Sequence, residues 1–211
     1  MKKENLVCYN LSGKRMEQIR SFVAIELNEE LRHQLDLIQR SLKSKGISDE
    51  VRWVRPDGIH LTLKFLGNVP ANSIKEIVLA VTQGRDDVMP FAISLGGLGC
   101  FPTTKRPNVI WVGVDGDTAT LARLQTAIED RLSVLGYPPE KRRSTPHLTL
   151  GRVARRVTDS DQRRIGDLIQ EQTVGSLGEM QVREVTLMKS ELSPAGARYT
   201  RLAAVPLEER G

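Results

Sequence analysis

The spacing of apolar positions changes repeatedly along the chain, and each change of period marks an element. Positions 22–27 form a compact apolar run of strand type. Over 28–45 the period lengthens: Leu31, Leu35, Ile38 and Leu42 share one stripe, Glu29 and Glu30 occupy the first turn, Asn28 offers an N-cap and Gly46 a stop. That combination predicts a helix. Strands are expected at 52–54 and 59–66, then a helix over 73–82 with Ile74, Ile77, Val78 and Val81 inward. Two paired strands follow at 91–98 and 109–115, joined by a Gly- and Pro-rich loop. A helix over 118–135 opens on Asp117 or Thr118, a strand occupies 148–153, a helix 159–173, and 180–189 pairs with 199–206 as a closing antiparallel couple. At 211 residues the chain fits one domain, or two small lobes sharing a core. Residues 1–17 are polar and poorly patterned, so they read as a flexible extension, with Met16 an alternative start, ahead of a single domain over 18–211.

Within this pattern one four-residue string occurs twice. His60-Leu61-Thr62-Leu63 is repeated as His147-Leu148-Thr149-Leu150, using two of only three histidines in the chain. The chance that two of three histidines are followed by Thr two positions on is about 1%, before the matching leucines are counted. On a strand, side chains alternate between faces, so each His and Thr share one surface while the leucines enter a core. Imidazoles exchange protons near neutral pH, and two of them make a matched acid and base. A phosphodiester needs that pair: a neutral ring to accept a proton from the attacking oxygen, and a protonated ring to donate one to the leaving oxygen. The threonine hydroxyls can hold non-bridging oxygens.

Charge and cysteine usage narrow the field. Net charge is +5, but Lys2, Lys3, Lys14 and Arg15 against Glu4 carry +3 of it, leaving +2 for the body. A globally basic binder is disfavoured, and attraction for nucleic acid must come from local clusters. Two precede the repeats: Arg52 with Arg55, and Lys141-Arg142-Arg143. Cys8 and Cys100 allow one pairing and no C-x-x-C, so neither a disulfide framework nor a zinc site is suggested. No cysteine ligand stands at short spacing to either histidine, threonine is not a usual ligand, and no metal is expected. No apolar run reaches membrane-span length and no signal-like segment opens the chain, which predicts a cytoplasmic protein with no membrane partner. His33 falls on the polar side of its helix. Arg152 has the wrong parity for the histidine face unless the strand bends at Gly151. Phe101, Trp53 and Trp111 are candidates for stacking a base, with core packing favoured for Trp111.

With these residues in view, the chain resembles the RNA 2′,3′-cyclic phosphodiesterase family, also called the 2′-5′ RNA ligase family, of the two-histidine phosphoesterase superfamily. The resemblance runs from 19 to 207. Besides the doubled tetrapeptide it rests on the opening strand from Arg20 to Leu27 and on Arg52-Trp53-Val54-Arg55-Pro56. It rests also on Lys64-Phe65-Leu66-Gly67, Phe101-Pro102, Arg106-Pro107, Ile110-Trp111-Val112-Gly113, Pro146 and Gly151-Arg152. It implies an α+β, bilobal, pseudo-twofold fold in which two antiparallel sheets face a central cleft and helices pack outside.

The resemblance also implies a reaction. His147 acts as general base on water, His60 as general acid on the departing 3′ oxygen, and the product is a 2′-phosphomonoester. Thr62 and Thr149 hold phosphate oxygens, with Arg152, Arg55, Arg143 and Phe101 as further substrate contacts. No cofactor is needed, the substrate is RNA with cyclic-phosphate ends, tRNA fragments among them, and the enzyme is a monomer. Reversal would join such an end to a 5′-hydroxyl. Two other readings share the sequence features: a cyclic phosphodiesterase for small nucleotides of the ADP-ribose cyclic phosphate type, and a non-catalytic module gripping RNA ends. Intact copies of both tetrapeptides speak against the last.

Overall fold

A computed structural model describes residues 17–140, 145–193 and 196–208. The extension expected over 1–17, apart from Glu17, and the cluster Lys141-Arg142-Arg143 lie outside the described residues. The chain order is β1 (Gln18–Glu26), α1 (Glu29–Leu42), β2 (Val51–Trp53), β3 (His60–Pro70), α2 (Ile74–Gly84), β4 (Phe91–Thr103), β5 (Arg106–Gly116), α3 (Thr118–Val134), β6 (His147–Val153), α4 (Asp159–Glu171), β7 (Ser176–Val182), β8 (Glu184–Ser193) and β9 (Gly196–Pro206). The expected caps are in place: Asn28 Oδ1 accepts from the Leu31 N–H at 2.9 Å and Asp117 Oδ1 from Thr120 N–H at 2.9 Å.

The strands form two antiparallel sheets, ordered β3-β1-β8-β9 and β2-β6-β5-β4-β7. Each tetrapeptide strand therefore lies beside a repeat-equivalent neighbour, β3 against β1 and β6 against β5. Helices cover one face of each sheet, and their assignment is crossed. Helix α1 follows β1 of the first sheet yet reaches the second, where Gln39 bonds to Leu150 of β6. Helix α3 follows β5 of the second sheet yet packs on the first, where Gln125 bonds to Leu63 of β3. Helices α2 and α4 stay with their own halves, α2 near β9 and α4 on β4 and β5. The units β1-α1-β3-α2 and β5-α3-β6-α4 are thus pseudo-symmetric and clasp one another. One apolar core runs through both, from Val23, Ile25 and Leu61 to Ile110, Leu148 and Leu150.

Three expectations need correcting. The loop expected between 98 and 109 is a continuous hairpin: β4 runs to Thr103, β5 restarts at Arg106, and Pro102 sits opposite Pro107. Two prolines placed across from each other remove no donor that the partner strand needs, so the ladder survives them. The single strand expected over 180–189 is two strands on different sheets, β7 pairing with β4 and β8 with β1 and β9. The chain passes from one lobe to the other at Arg183, and apolar period alone cannot show that crossover. Helix α1 ends at Leu42 and not at 45, followed by a wider turn in which Gly46 takes φ +85°.

Candidate active site

Both tetrapeptides sit as their alternation demands. His60, Thr62, His147 and Thr149 are half-buried on the helix-free faces, while Leu61, Leu63, Leu148 and Leu150 are 0–3% exposed. Strands β3 and β6 approach within 8 Å, Cα to Cα, where the lobes meet. The histidines are held identically: Nδ1 of His60 lies 2.8 Å from the Gly58 carbonyl and Nδ1 of His147 lies 2.7 Å from that of Thr145. A carbonyl oxygen only accepts, so Nδ1 carries the hydrogen and Nε2 is left for chemistry in each ring.

Aromatic rings pack against both imidazoles. Phe22 stacks on His60 with centroids 4.5 Å apart and 26° between planes, and Tyr199 meets it edge-on at 4.9 Å. Ala24 is fully buried in the same small cluster, opposite Thr62 in the sheet. On the other side Phe101 meets His147 edge-on at 4.9 Å, with Trp111 at 6.4 Å. Burial among these groups pushes His60 down to about 4, against the opposing effects of the Gly58 carbonyl and the Glu26 carboxylate. Burial likewise pushes the Tyr199 phenol up, and Arg152 and Arg20 oppose it. Arg152 of one lobe thus acts on Tyr199 of the other.

Arg152 does reach the cleft face, by a bend one residue earlier than expected. The register passes from Thr149 opposite Trp111 to Gly151 opposite Ile110, so Leu150 is a bulge and parity reverses behind it. Gly151 is required there because a Cβ would come within 2.5 Å of Val51 Cγ1. Arg55 is exposed and its guanidinium is bound to Asp57 (Nη2 to Oδ2 2.5 Å, Nε to Oδ1 3.1 Å), so its charge is locally matched. Arg143 lies outside the described residues. Phe101 stands on β4 and not on a loop. Trp111 is on the cleft face opposite Thr149, its ring lying across Gly99, whereas core packing was expected. Trp53 belongs to the core side under Lys43, which removes it as a stacking platform. His33 is exposed, as read.

Sequence reasoning missed Phe22 and Tyr199. Phe22 was within reach, because it shares the parity of Ala24 on the strand beside β3. Tyr199 is 139 positions from His60 and no local signal links them. Cys100 is buried and free, its thiol pushed up by burial, and Cys8 lies outside the described residues. Among the described residues no group of three or more His, Cys, Asp or Glu side chains gathers as a metal site. No described helix is long and apolar enough to cross a membrane.

Two strands that each carry an imidazole and a hydroxyl on the helix-free face are the arrangement expected of a two-histidine phosphoesterase. The LigT-like phosphoesterase family model matches residues 25–111 and again 112–199, one copy for each repeat. The chain belongs to that family. It is 37% identical over 183 residues to the RNA 2′,3′-cyclic phosphodiesterase of Methanothermobacter thermautotrophicus, covering 87% of this chain and 96% of the relative. It is 33% identical over 184 residues to the protein of the same name from Archaeoglobus fulgidus, covering 87% and 98%. Among solved structures, E. coli LigT complexed with 3′-AMP is 27% identical with a TM-score of 0.72, covering 92% of this chain and all of that one. TT0787 of Thermus thermophilus is 27% identical with a TM-score of 0.71, covering 90% and 98%.

Proposed function

We propose that this enzyme hydrolyses RNA 2′,3′-cyclic phosphate ends to 2′-phosphomonoesters without a metal, acting as a monomer in the cytoplasm. The observation that carries the reading is the duplicated arrangement of imidazole and hydroxyl, each Nδ1 tied to a backbone carbonyl and each Nε2 without a hydrogen-bond partner among the described residues. The shared name of the curated relatives supports the substrate class. In the reaction, His147 Nε2 takes a proton from water as its oxygen attacks phosphorus. The bond from phosphorus to O3′ breaks, and His60 Nε2 gives its proton to O3′. The products are a 2′-phosphate and a 3′-hydroxyl, with the proton now on His147, and exchange with solvent resets the pair. Thr62 and Thr149 hold the non-bridging oxygens, and Arg152 adds a charge-assisted contact as negative charge builds. Phe101, Trp111 and the exposed Phe65 supply apolar wall for the terminal nucleoside.

Burial keeps His60 neutral at physiological pH, whereas its role needs a proton. The bound phosphodiester resolves this, because an anion beside the ring favours the imidazolium. The same atoms run in reverse would join a cyclic-phosphate end to a 5′-hydroxyl, with hydrolysis dominant in water.

The test is turnover of a cyclic-phosphate-ended oligonucleotide after exhaustive EDTA treatment, with bound metal measured in parallel. Full activity in metal-free enzyme is expected. Activity that vanishes and returns with one added divalent metal would replace this mechanism with a metal-assisted one.

A further inference from the structure

Each tetrapeptide strand carries the same irregularity at the same place. In β6 the bulge is Leu150. In β3 the register passes from Thr62 opposite Ala24 to Lys64 opposite Val23, so the bulge is Leu63. A bulged residue is displaced from the regular ladder, so a side-chain hydrogen bond to its carbonyl helps fix where the strand bends. In both strands a helix glutamine from the other repeat donates to the bulged carbonyl: Gln39 Nε2 lies 2.8 Å from the Leu150 carbonyl, which also accepts from the Val54 N–H at 2.8 Å, and Gln125 Nε2 lies 2.8 Å from that of Leu63. Gln39 is wholly buried, bonds also to the Val54 carbonyl at 2.8 Å, and leaves its own Oε1 without a partner among the described residues. A leucine would suit that core position better if packing were the only demand.

The bulges reverse side-chain parity, and this decides what faces the cleft. Behind Leu150 the reversed residue is Arg152. Behind Leu63 it is Phe65, 56% exposed and 6.0 Å from Phe22. Arg152 also stands directly opposite Arg52 in the sheet. Like charges so placed repel unless an anion lies between them, and neither has an ion pair among the described residues.

We propose that Gln39 and Gln125 are positioning residues which hold these bulges and so aim Arg152 and Phe65 at the substrate. Each tetrapeptide strand is thereby braced by the other repeat. This rests on the reading that Arg152 contacts substrate phosphate.

The test is a double-mutant cycle of Gln39→Met and Arg152→Ala, read as kcat/KM on a cyclic-phosphate-ended oligonucleotide, with folding checked by thermal melts. Methionine matches glutamine in length and stays in the core. Arg152→Ala is expected to lose about 10²-fold, and Gln39→Met about tenfold, as for a displaced contact. The double variant should equal Arg152→Ala within about twofold, because the glutamine acts through the arginine. A purely structural glutamine would cost the same factor in both backgrounds, which would overturn the proposal alone. If Arg152→Ala costs nothing, the phosphate reading of Arg152 falls and the proposal with it. The cycle of Gln125→Met with Phe65→Ala is an independent arm read on KM, where Phe65→Ala should raise KM about tenfold. There too, additive costs would overturn the proposal, and coincident costs would support it.

Discussion

Replacing His60 or His147 by alanine is expected to lower turnover of a cyclic-phosphate-ended RNA by roughly 10²–10⁴-fold in each case, the usual contribution of a general acid or base. The fold should persist. Both rings lie on the helix-free faces, and the leucines beside them, not the imidazoles, fill the core. The rings act on one phosphorus as a unit, so the double variant should be little worse than the worse single one. Losses that multiply would mean two independent contributions and would contradict the concerted scheme. Near wild-type turnover in either single variant would remove that histidine from the mechanism.

A second large effect is expected in the pH dependence of stability. His60 titrates near 4 in the folded chain, against an ordinary 6.5. As pH falls below 6.5 the unfolded chain takes up a proton there, and the folded chain does not until about 4. Stability from this group is therefore complete above 6.5 and is lost as pH drops through that window. Between pH 7 and 4.5 the loss amounts to roughly 2 kcal/mol. Asp117 and Asp161, held low by hydrogen bonds at helix caps, lose their contribution only as pH falls below the ordinary carboxylate value of 3.8, outside this window. Urea denaturation at the two pH values should show the loss in the wild type and its absence in His60→Asn. Equal losses in both would place the acid sensitivity elsewhere. In kinetics, the acid limb of kcat/KM belongs to the coupled pair and should lie near 4, while binding of an anionic substrate should raise the corresponding limb in kcat.

Most of the fold was legible because its elements are strongly periodic. Leu31, Leu35 and Leu42 on α1 are buried as their stripe required, and the two antiparallel sheets are those that the family resemblance implied. The tetrapeptide faces were legible for a simpler reason: alternation on a strand leaves one choice once the leucines are assigned to the core. What alternation could not show is where it breaks. The bulge at Leu150 carries no sequence mark of its own, so Arg152 was assigned to the wrong face except through a bend, and Gly151 pointed one residue too far. The crossed helices were equally hidden, since a stripe on α1 says that it packs but not on which sheet. Gln39 reaches its strand only through that crossing, and Tyr199 reaches His60 through the strand order of the first sheet, both over separations that no local pattern spans. Arg55, a basic residue close in sequence to His60, pairs with Asp57 two positions away, a local partner that the charge pattern did not single out.

The most direct test of the central claim is the position of the phosphate in the product. An oligonucleotide ending in a 2′,3′-cyclic phosphate is incubated with metal-free enzyme, and the product's phosphorus is assigned by NMR. A 2′-phosphomonoester formed at the same rate as with untreated enzyme is the predicted result. A 3′-phosphate would mean that the proton goes to O2′ and that the substrate lies in the cleft the other way round. No product at all from metal-free enzyme would contradict the two-histidine mechanism itself.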